Sequence, residues 1–418
     1  MQNIIVMSHL RWNFVHQRPQ HLLSRLAAHY RILFFEEPVF HPKKHLAAIS
    51  EPHPNVIVWT PHTPVETHGF HDDQLPYLQP LARQLGIDYP DHMVWFYTPM
   101  ALPLMDELSP GLVVYDCMDE LAAFKNSPKQ LLQRENALFK EADIVFTGGP
   151  SLFRAKRERH HNVHCFPSSV DVAHFAHARD RSKSHPAHAA IPRPRLGYYG
   201  VIDERLDMAL LAALADAHPD WQIILVGPVV KIDEADLPRR PNIHYLGQQP
   251  YDDLPRFLAG WDVCLLPFAR NQSTRFISPT KTLEYMAAEL PIISTDIADV
   301  IELYGEAVSI AADANEFIAA CESALNATPG QRTGKIESMR RLLATSSWED
   351  TAEQMRHLFT EVETDRAARK ASAQIETSSE GAAAETADDE ARLPPPNVKR
   401  MILKAARKPV DGQDNRGT

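Results

Sequence analysis

The feature that most constrains the fold is a series of short, almost wholly apolar segments that recur from residue 4 to residue 311. They are rich in β-branched and aromatic residues, and amphipathic stretches lie between many of them. Because apolar strands that alternate with such helices form parallel sheets covered on both faces, we predict an α/β protein. The predicted strands are 4–8, 32–35, 56–59, 94–97, 112–115, 144–147, 196–199, 222–226, 243–246, 263–266, 292–295 and 308–311, and the predicted helices include 20–29, 130–142, 208–217 and 316–325.

A stretch rich in His, Pro and Ala, at about 174–194, divides the strands into two series. We predict two doubly wound, Rossmann-like domains, 1–188 and 189–345, that face each other across a cleft. Ligands of open α/β sheets bind beyond the carboxyl ends of the strands. The loops expected to border the cleft follow Ser8, Tyr115, Tyr199 and Val226.

The C-terminal part of the chain has a different composition. A helix is predicted over 346–366, with Ser346 or Ser347 as its N-cap. The stretch from about 371 to 389 is rich in Ala, Ser, Thr and Glu, and 394–396 is a run of three prolines. Such a chain buries too little apolar area to offset the entropy cost of ordering, so we predict a disordered tail over 367–418. Within it, 399–408 is either a basic amphipathic helix on an anionic membrane surface or part of a solvated tail.

Composition narrows the classes of function. A chain of 418 residues has room for two domains, and its net charge of -11 argues against general nucleic-acid binding. The N-terminus looks like a first strand, not a signal peptide, and no apolar run is long enough to cross a bilayer. The four cysteines, Cys117, Cys165, Cys264 and Cys321, form no zinc or redox motif, and the 21 histidines show no metal-ligand spacing. We predict a cytoplasmic protein with reduced thiols, no metal and no cofactor.

The most informative motif is 278–295, which is read as a loop, a helix and a strand. Ser278 or Thr280 is available as N-cap, and Lys281 and Glu284 lie close to the start of the helix. A helix start offers unpaired N–H groups to a diphosphate, and a carboxylate one turn further on can accept hydrogen bonds from a ribose. The motif therefore predicts a nucleotide-sugar site.

This motif resembles the donor-binding motif of GT-B glycosyltransferases of the retaining family four, or group 1. The run 18–21 also resembles a bacterial subgroup linked to cell-surface polysaccharides. The resemblance implies transfer of a sugar from a nucleoside-diphosphate sugar, with UDP favoured over GDP, to a glycan or lipid-linked acceptor. It also implies that the helix 346–366 crosses back to the first domain. The chain departs from the family at Phe276, where the first of two glutamates usually stands, and at Glu289.

Two further segments of the second domain match the family more loosely. In 196–207 a strand ends at a glycine turn, so that Gly200 permits close approach of a ligand and Arg205 reaches the diphosphate. The alternative is a simple tight turn in which Arg205 pairs with a neighbouring acid. The resemblance also implies that Gly227 and Leu246 line the base pocket.

The first domain supplies the candidate acceptor residues. The loop 9–21 holds aromatic rings and hydrogen-bond donors, and the acceptor candidates are Arg11, Trp12, His16 and Arg18. Alternatively, Trp12 packs into the core. Asp119, favoured over Asp116, is the candidate catalytic carboxylate together with Lys281 and Arg205, unless it caps a helix over 119–124.

The sequence leaves the function open in two respects. Phe276 and Glu289 are also compatible with a non-catalytic GT-B-like protein that binds a sugar nucleotide, and a sugar-nucleotide epimerase of the same fold is a further alternative. The motifs do not distinguish retaining from inverting transfer. A peripheral contact with the inner membrane surface also remains open.

Overall fold

The computed structural model describes residues 2–43 and 46–390. Residues up to Val362 form one compact unit, and the chain from Glu363 onward is assigned to a second. Segment 399–408, the predicted basic helix, lies outside the described residues. Within the described part of the chain, no helix combines the length and apolar character needed to span a membrane.

The first domain is built on a nine-stranded sheet. Its strands run in the order β3-β5-β2-β1-β6-β7-β8-β9, and β4 pairs with β5 as the antiparallel exception. They are β1 (Asn3–Ser8), β2 (Arg31–Glu36), β3 (Val39–Phe40), β4 (Ala47–His53), β5 (Val56–Thr63), β6 (His92–Phe96), β7 (Leu112–Cys117), β8 (Ile144–Thr147) and β9 (Val163–Cys165).

The second domain is built on a six-stranded parallel sheet with the order β12-β11-β10-β13-β14-β15. This order places the first strand of the domain at the centre, which is the arrangement of a doubly wound dinucleotide-binding sheet. The strands are β10 (Arg195–Tyr199), β11 (Gln222–Val226), β12 (Ile243–Tyr245), β13 (Val263–Leu266), β14 (Ile292–Thr295) and β15 (Ser309–Ala311). The predicted fold class, α/β with two Rossmann-like domains, is confirmed.

Helices cover the faces of both sheets. In the first domain they are α1 (Arg18–Leu26), α2 (Leu75–Asp88), α3 (Leu131–Glu141) and α4 (Pro150–Lys156). In the second domain and after it they are α5 (Val172–Ala176), α6 (Met208–Ala217), α7 (Leu254–Gly260), α8 (Lys281–Ala287), α9 (Ala298–Tyr304), α10 (Ala314–Leu325), α11 (Pro329–Leu343) and α12 (Trp348–Glu390).

The strands are apolar throughout because both of their faces are buried. In β1, Ile4 and Val6 join the apolar cluster on one face of the first sheet, whereas Ile5 and Met7 join the cluster on the other. Alternate side chains of a strand point to opposite faces, so a strand between two helical layers needs apolar residues at every position.

Helix α12 completes the core of the first domain. Ser347 caps it by accepting a hydrogen bond from the backbone N–H of Asp350 at 2.9 Å. Trp348, Met355 and Phe359 are buried in the same cluster as Ile4 and Val6. The helix continues to Glu390, beyond the predicted end at 366, and the alanines and glutamates of this stretch favour helix. The predicted disorder of the remainder, 391–418, falls outside the described residues.

Candidate active site

A cleft of about 670 Å³ lies between the two domains. All four predicted loops contribute to it: Trp12 to Arg18 follow β1, Met118 and Asp119 follow β7, Gly200 and Val201 follow β10, and Gly227 and Pro228 follow β11. The carboxyl ends of both sheets therefore converge on one space, as doubly wound domains require.

Lys281, the first residue of α8, lies on the second-domain wall of the cleft. Its Nζ atom lies 5.3 Å from the centre of the Tyr198 ring and 5.5 Å from that of Phe268. Burial, reinforced by the nearby Arg205, lowers the pKa of Lys281 to about 8. At neutral pH the side chain therefore still carries most of a positive charge into the cleft.

Glu284 lies one turn further along α8 and is 6% exposed. Its Oε2 atom accepts a hydrogen bond from the Tyr199 hydroxyl. Burial raises the pKa of Glu284 to about 7, although Tyr199 and Lys281 act in the opposite direction. The carboxylate predicted to contact a ribose therefore holds its proton more tightly than usual.

Two glycines shape the floor beside Lys281. Gly200 has a φ of +133° and Gly227 a φ of +147°, in the region that side chains rarely adopt. A Cβ atom at Gly200 would lie 3.0 Å from Cε of Lys281, and one at Gly227 would lie 2.8 Å from the Gly200 carbonyl carbon. Only glycine at both positions allows the two strand ends to approach each other and Lys281.

Arg205 borders the cleft but is already paired. Its guanidinium donates to both carboxylate oxygens of the buried Asp203, at 2.7 to 3.1 Å. Burial opposes the charge of Arg205, yet its hydrogen bonds with Asp203 raise its pKa. The alternative interpretation, an arginine paired with a neighbouring acid, therefore describes Arg205 in this structure.

Asp119 faces Arg205 across the cleft from the first domain. Burial raises the pKa of Asp119, partly offset by the positive charge of Arg205. The predicted helix over 119–124 does not form, because the segment has only a short 3-10 turn, Leu121–Ala123. Asp119 therefore caps no α-helix, and its catalytic role stays a prediction.

The acceptor candidates separate into two groups. His16 lines the cleft, stacked on Tyr251 with ring centres 4.2 Å apart, and burial lowers its pKa to about 4. Arg18 also lines the cleft, but its guanidinium forms a two-pronged ion pair with the buried Asp116 and donates to the Phe166 carbonyl. Its geometry is that of a structural residue.

Arg11 and Trp12 are held by the first domain. Arg11 donates to Glu36 and to backbone carbonyls at 3.2 to 3.3 Å. Trp12 is 8% exposed and meets Phe34 edge-on at 5.2 Å, as the core-packing alternative predicted, although it also touches the cleft.

Three details of the second domain differ from the sequence interpretation. Neither the Ser278 nor the Thr280 side chain caps α8. Thr280 is itself helical and donates its hydroxyl to Ser168 at 2.9 Å. The buried Ser278 hydroxyl has no partner among the described residues. Leu246 packs against the second-domain core, and Gln248 and Gln249 line the cleft instead. Phe276 packs against the first-domain core, so no carboxylate stands in its place.

Sequence reasoning missed an aromatic contact that joins the domains. Tyr251 of the second domain stacks on both His16 and His174, the latter at 4.4 Å. His21 of α1 in turn stacks on Trp348 at 4.9 Å. No local signal marks these rings as partners, because they lie far apart in the sequence.

Residues 193–327 match the family model described as glycosyl transferases group 1. The putative teichuronic acid biosynthesis glycosyltransferase TuaH of Bacillus subtilis (strain 168) is 25% identical over 279 residues, which cover 60% of this chain and 68% of that protein.

Solved structures extend the likeness to both domains. Sucrose-phosphate synthase from Thermosynechococcus elongatus has a TM-score of 0.67 and 18% identity, over 87% of this chain and 99% of that one. Anabaena HepE in complex with UDP-glucose has a TM-score of 0.65 and 14% identity, over 86% of this chain and 100% of that one.

The fold and the cleft between its domains define the class of GT-B glycosyltransferases. Within that class, residues 193–327 match the glycosyl transferases group 1 family model, and the protein is a transferase. The resemblance inferred from 278–295 is confirmed.

Proposed function

We propose that the protein transfers a sugar from a UDP-sugar to a glycan or lipid-linked acceptor in cell-surface polysaccharide synthesis. The observation that carries this proposal is the convergence of Lys281, Glu284 and Arg205 on a cleft whose opposite wall holds Asp119 and His16. Support for the donor comes from HepE, whose structure holds UDP-glucose. Support for the polysaccharide role comes from TuaH, named for teichuronic acid biosynthesis.

The donor half of the site follows from charge. Lys281 and Arg205 place positive charge where the diphosphate leaving group develops negative charge, which lowers the barrier to transfer. Arg205 keeps Asp203 as a partner and offers its remaining N–H groups to the phosphates. Glu284 accepts hydrogen bonds from the ribose, while Ser278, Thr280, Gly200 and Gly227 border the diphosphate and base.

The acceptor half lies on the first domain. His16 contacts the acceptor, and Arg18 positions the loop through Asp116. In an inverting reaction Asp119 takes the proton of the acceptor hydroxyl, whereas in a retaining reaction the leaving diphosphate takes it. The enzyme works in the cytoplasm with the nucleotide sugar as co-substrate and without a resident cofactor or a nucleic-acid partner. A lipid-linked acceptor brings it to the inner membrane surface.

The proposal is tested by thermal-shift titrations with UDP-, GDP-, ADP- and dTDP-sugars. We expect a UDP-sugar to stabilise the wild type, since a ligand of the folded state raises apparent stability. Lys281→Ala and Glu284→Ala should each weaken binding about 10-fold or more, because each removes a charge-assisted hydrogen bond worth roughly 1.5–3 kcal/mol. Lys140→Ala, on the exposed side of α3, is the matched control.

The donor assignment would be contradicted if none of the sugar nucleotides stabilised the wild type. It would also be contradicted if Lys281→Ala bound the UDP-sugar as tightly as the wild type does. Binding without transfer to any glycan or lipid-linked acceptor would instead favour the non-catalytic alternative. Turnover of the donor with no acceptor present would favour the epimerase.

A further inference from the structure

A second cavity, of about 1350 Å³, lies at the opposite edge of the second-domain sheet from the donor cleft. It is bordered by the segment that precedes β10, by the start of β14, and by α10 and α11. The donor cleft lies at the carboxyl ends of the same strands, so the two spaces are separated by the length of the sheet.

The lining of this cavity is positively charged although the chain carries a net charge of -11. Among the described residues that line it, more side chains are cationic than acidic. The cationic ones are Arg179, Arg181, Arg193, Arg332 and Lys335, and the acidic ones are Asp262, Glu289 and Glu306.

Two of the acidic side chains, Asp262 and Glu289, are each shared between two arginines and so compensate them incompletely. Oδ1 of Asp262 accepts from Arg181 at 2.9 Å and also from Arg193. Oε1 of Glu289 lies 3.2 Å from Nη1 of Arg179 and 2.8 Å from Nη2 of Arg340. Burial, together with the charge of Arg193, lowers the pKa of Arg181. The arginines that line the cavity therefore repel one another.

The arginines also remain accessible. The side chains of Arg181 and Arg193 are 41% and 43% exposed, and Asp262 between them is 21% exposed. An anion can therefore reach their guanidinium groups without displacing the core. Guanidinium groups bind phosphate and carboxylate oxygens in pairs, and they do so more strongly where water is partly excluded.

The remaining wall of the cavity is suited to an organic group. Trp221, Ile336 and Met339 line it beside the charged residues. Gly330 and Gly334 of α11 also line it, and a Cβ atom at either glycine would meet nothing within 4 Å. The cavity thus joins a cationic end to an apolar wall with open space between them.

We propose that this cavity binds a small organic dianion, specifically a phosphate ester such as a sugar monophosphate. The phosphate lies between Arg181 and Arg193 and competes with Asp262 for their N–H groups. The organic part lies against Trp221 and α11. A dianion matches the excess of positive over negative side chains in the lining, and a concave space of this size fits a small molecule.

The test is a calorimetric and thermal-shift titration of the full chain with glucose 6-phosphate, with glucose and citrate as comparison ligands. We expect glucose 6-phosphate, but not glucose, to bind the wild type. Binding should weaken at least 10-fold in the Arg181→Ala/Arg193→Ala double variant. Binding should be unchanged in Arg256→Ala and in Lys281→Ala. Arg256 is an exposed arginine of α7 that pairs with Asp253.

Three results would overturn the proposal: no binding of glucose 6-phosphate by the wild type, equal binding by the double variant, or loss of binding in Lys281→Ala, which would place the anion in the donor cleft. Binding of citrate alone would overturn the assignment to phosphate esters. If the double variant fails to fold, Arg193→Gln, which keeps a long polar side chain, carries the same expectation. Because the donor is titrated separately, failure here leaves the proposed transferase reaction standing.

Discussion

At the residue scale, the protonation of Glu284 links the donor site to pH. Its pKa is raised to about 7 from 4.5, mainly by burial, so the folded state holds this proton more tightly than the unfolded state does. The stability contributed by the proton is fully present below about pH 4.5 and is lost as the pH rises through about 7. A carboxylate that must be buried without its proton destabilises the fold.

We therefore expect Glu284→Gln to remove the loss of stability that the wild type shows as the pH rises. Relative to the variant, the free energy of unfolding of the wild type should fall by about 1–3 kcal/mol between pH 4.5 and pH 7, since one pKa unit corresponds to about 1.4 kcal/mol. Urea denaturation of both proteins at several pH values measures the difference. Parallel pH profiles would show that Glu284 titrates in the folded protein as it does in the unfolded chain.

Residue types were easier to predict than residue pairings. Helical spacing within one short motif predicts that Lys281 and Glu284 lie on the same side of α8, and both line the cleft. The pairing of Arg18 with Asp116 could not be predicted, because the two residues lie 98 positions apart and no local pattern reveals such a contact. By contrast, the sequence predicts a neighbouring acid as one alternative partner for Arg205, because Asp203 lies only two positions away in the same segment.

At the scale of elements, α11 is weakly specified by its sequence. It contains Gly330 and Gly334, and its buried side chains are Met339 and Leu343. Glycine inside a helix costs roughly 0.5–1 kcal/mol relative to alanine. We expect Gly334→Ala to raise the free energy of unfolding by about 0.5–1 kcal/mol, because a Cβ atom there meets nothing within 4 Å.

Chemical denaturation of Gly334→Ala measures this gain in the free energy of unfolding. Gly227→Ala is the matched control, and for it we expect the opposite effect. At Gly227 the backbone has a φ of +147° and a Cβ atom would collide with Gly200. The same substitution should therefore destabilise the protein there. A loss of stability in Gly334→Ala would show that α11 packs more closely than the structure indicates.

The central strands of both sheets and the edge strands of the second sheet were predicted, whereas β3, β4 and β9 of the first sheet were not, for a physical reason. Strands such as β1 and β10 are buried on both faces, so they form apolar runs that the sequence shows directly. By contrast, β4 is mostly exposed and carries Glu, Pro and His, so it has no apolar pattern. Pairing with β5 holds it in the sheet, and such pairing is a tertiary contact that composition does not show.

At the scale of the whole molecule, small residues set how closely the domains meet beside the cleft. Ser151 of α4 donates its backbone N–H to Oδ1 of Asp299 in the second domain at 3.0 Å. A Cβ atom at the neighbouring Gly149 would collide with Asp299 and would lie 2.8 Å from Cβ of Ser278. With a φ of -177°, Gly149 adopts a backbone conformation open to any residue, so a side chain there disturbs only the domain contact.

We expect Gly149→Ala to hold the domains apart while each domain stays folded. Small-angle scattering should show a larger radius of gyration, and the donor should bind about 10-fold more weakly, because Asp119 and Lys281 no longer face the same space. Gly330→Ala, with open space around its Cβ, is the control. An unchanged radius of gyration together with unchanged donor binding would contradict the role of this contact. The sequence could not predict it, because Gly149 and Asp299 are adjacent only in the folded chain.

The return of α12 to the first domain has a mechanical consequence. The chain leaves the first domain after β9 and comes back at Trp348, so the second domain is inserted between two segments of the first and joined to it by two connections. A rotation that opens the cleft must bend both connections together, and its axis must pass close to both. Trp348, Met355 and Phe359 are packed in the first-domain core and move with that domain. The segment just before Trp348 is therefore one of the two hinges of this rotation.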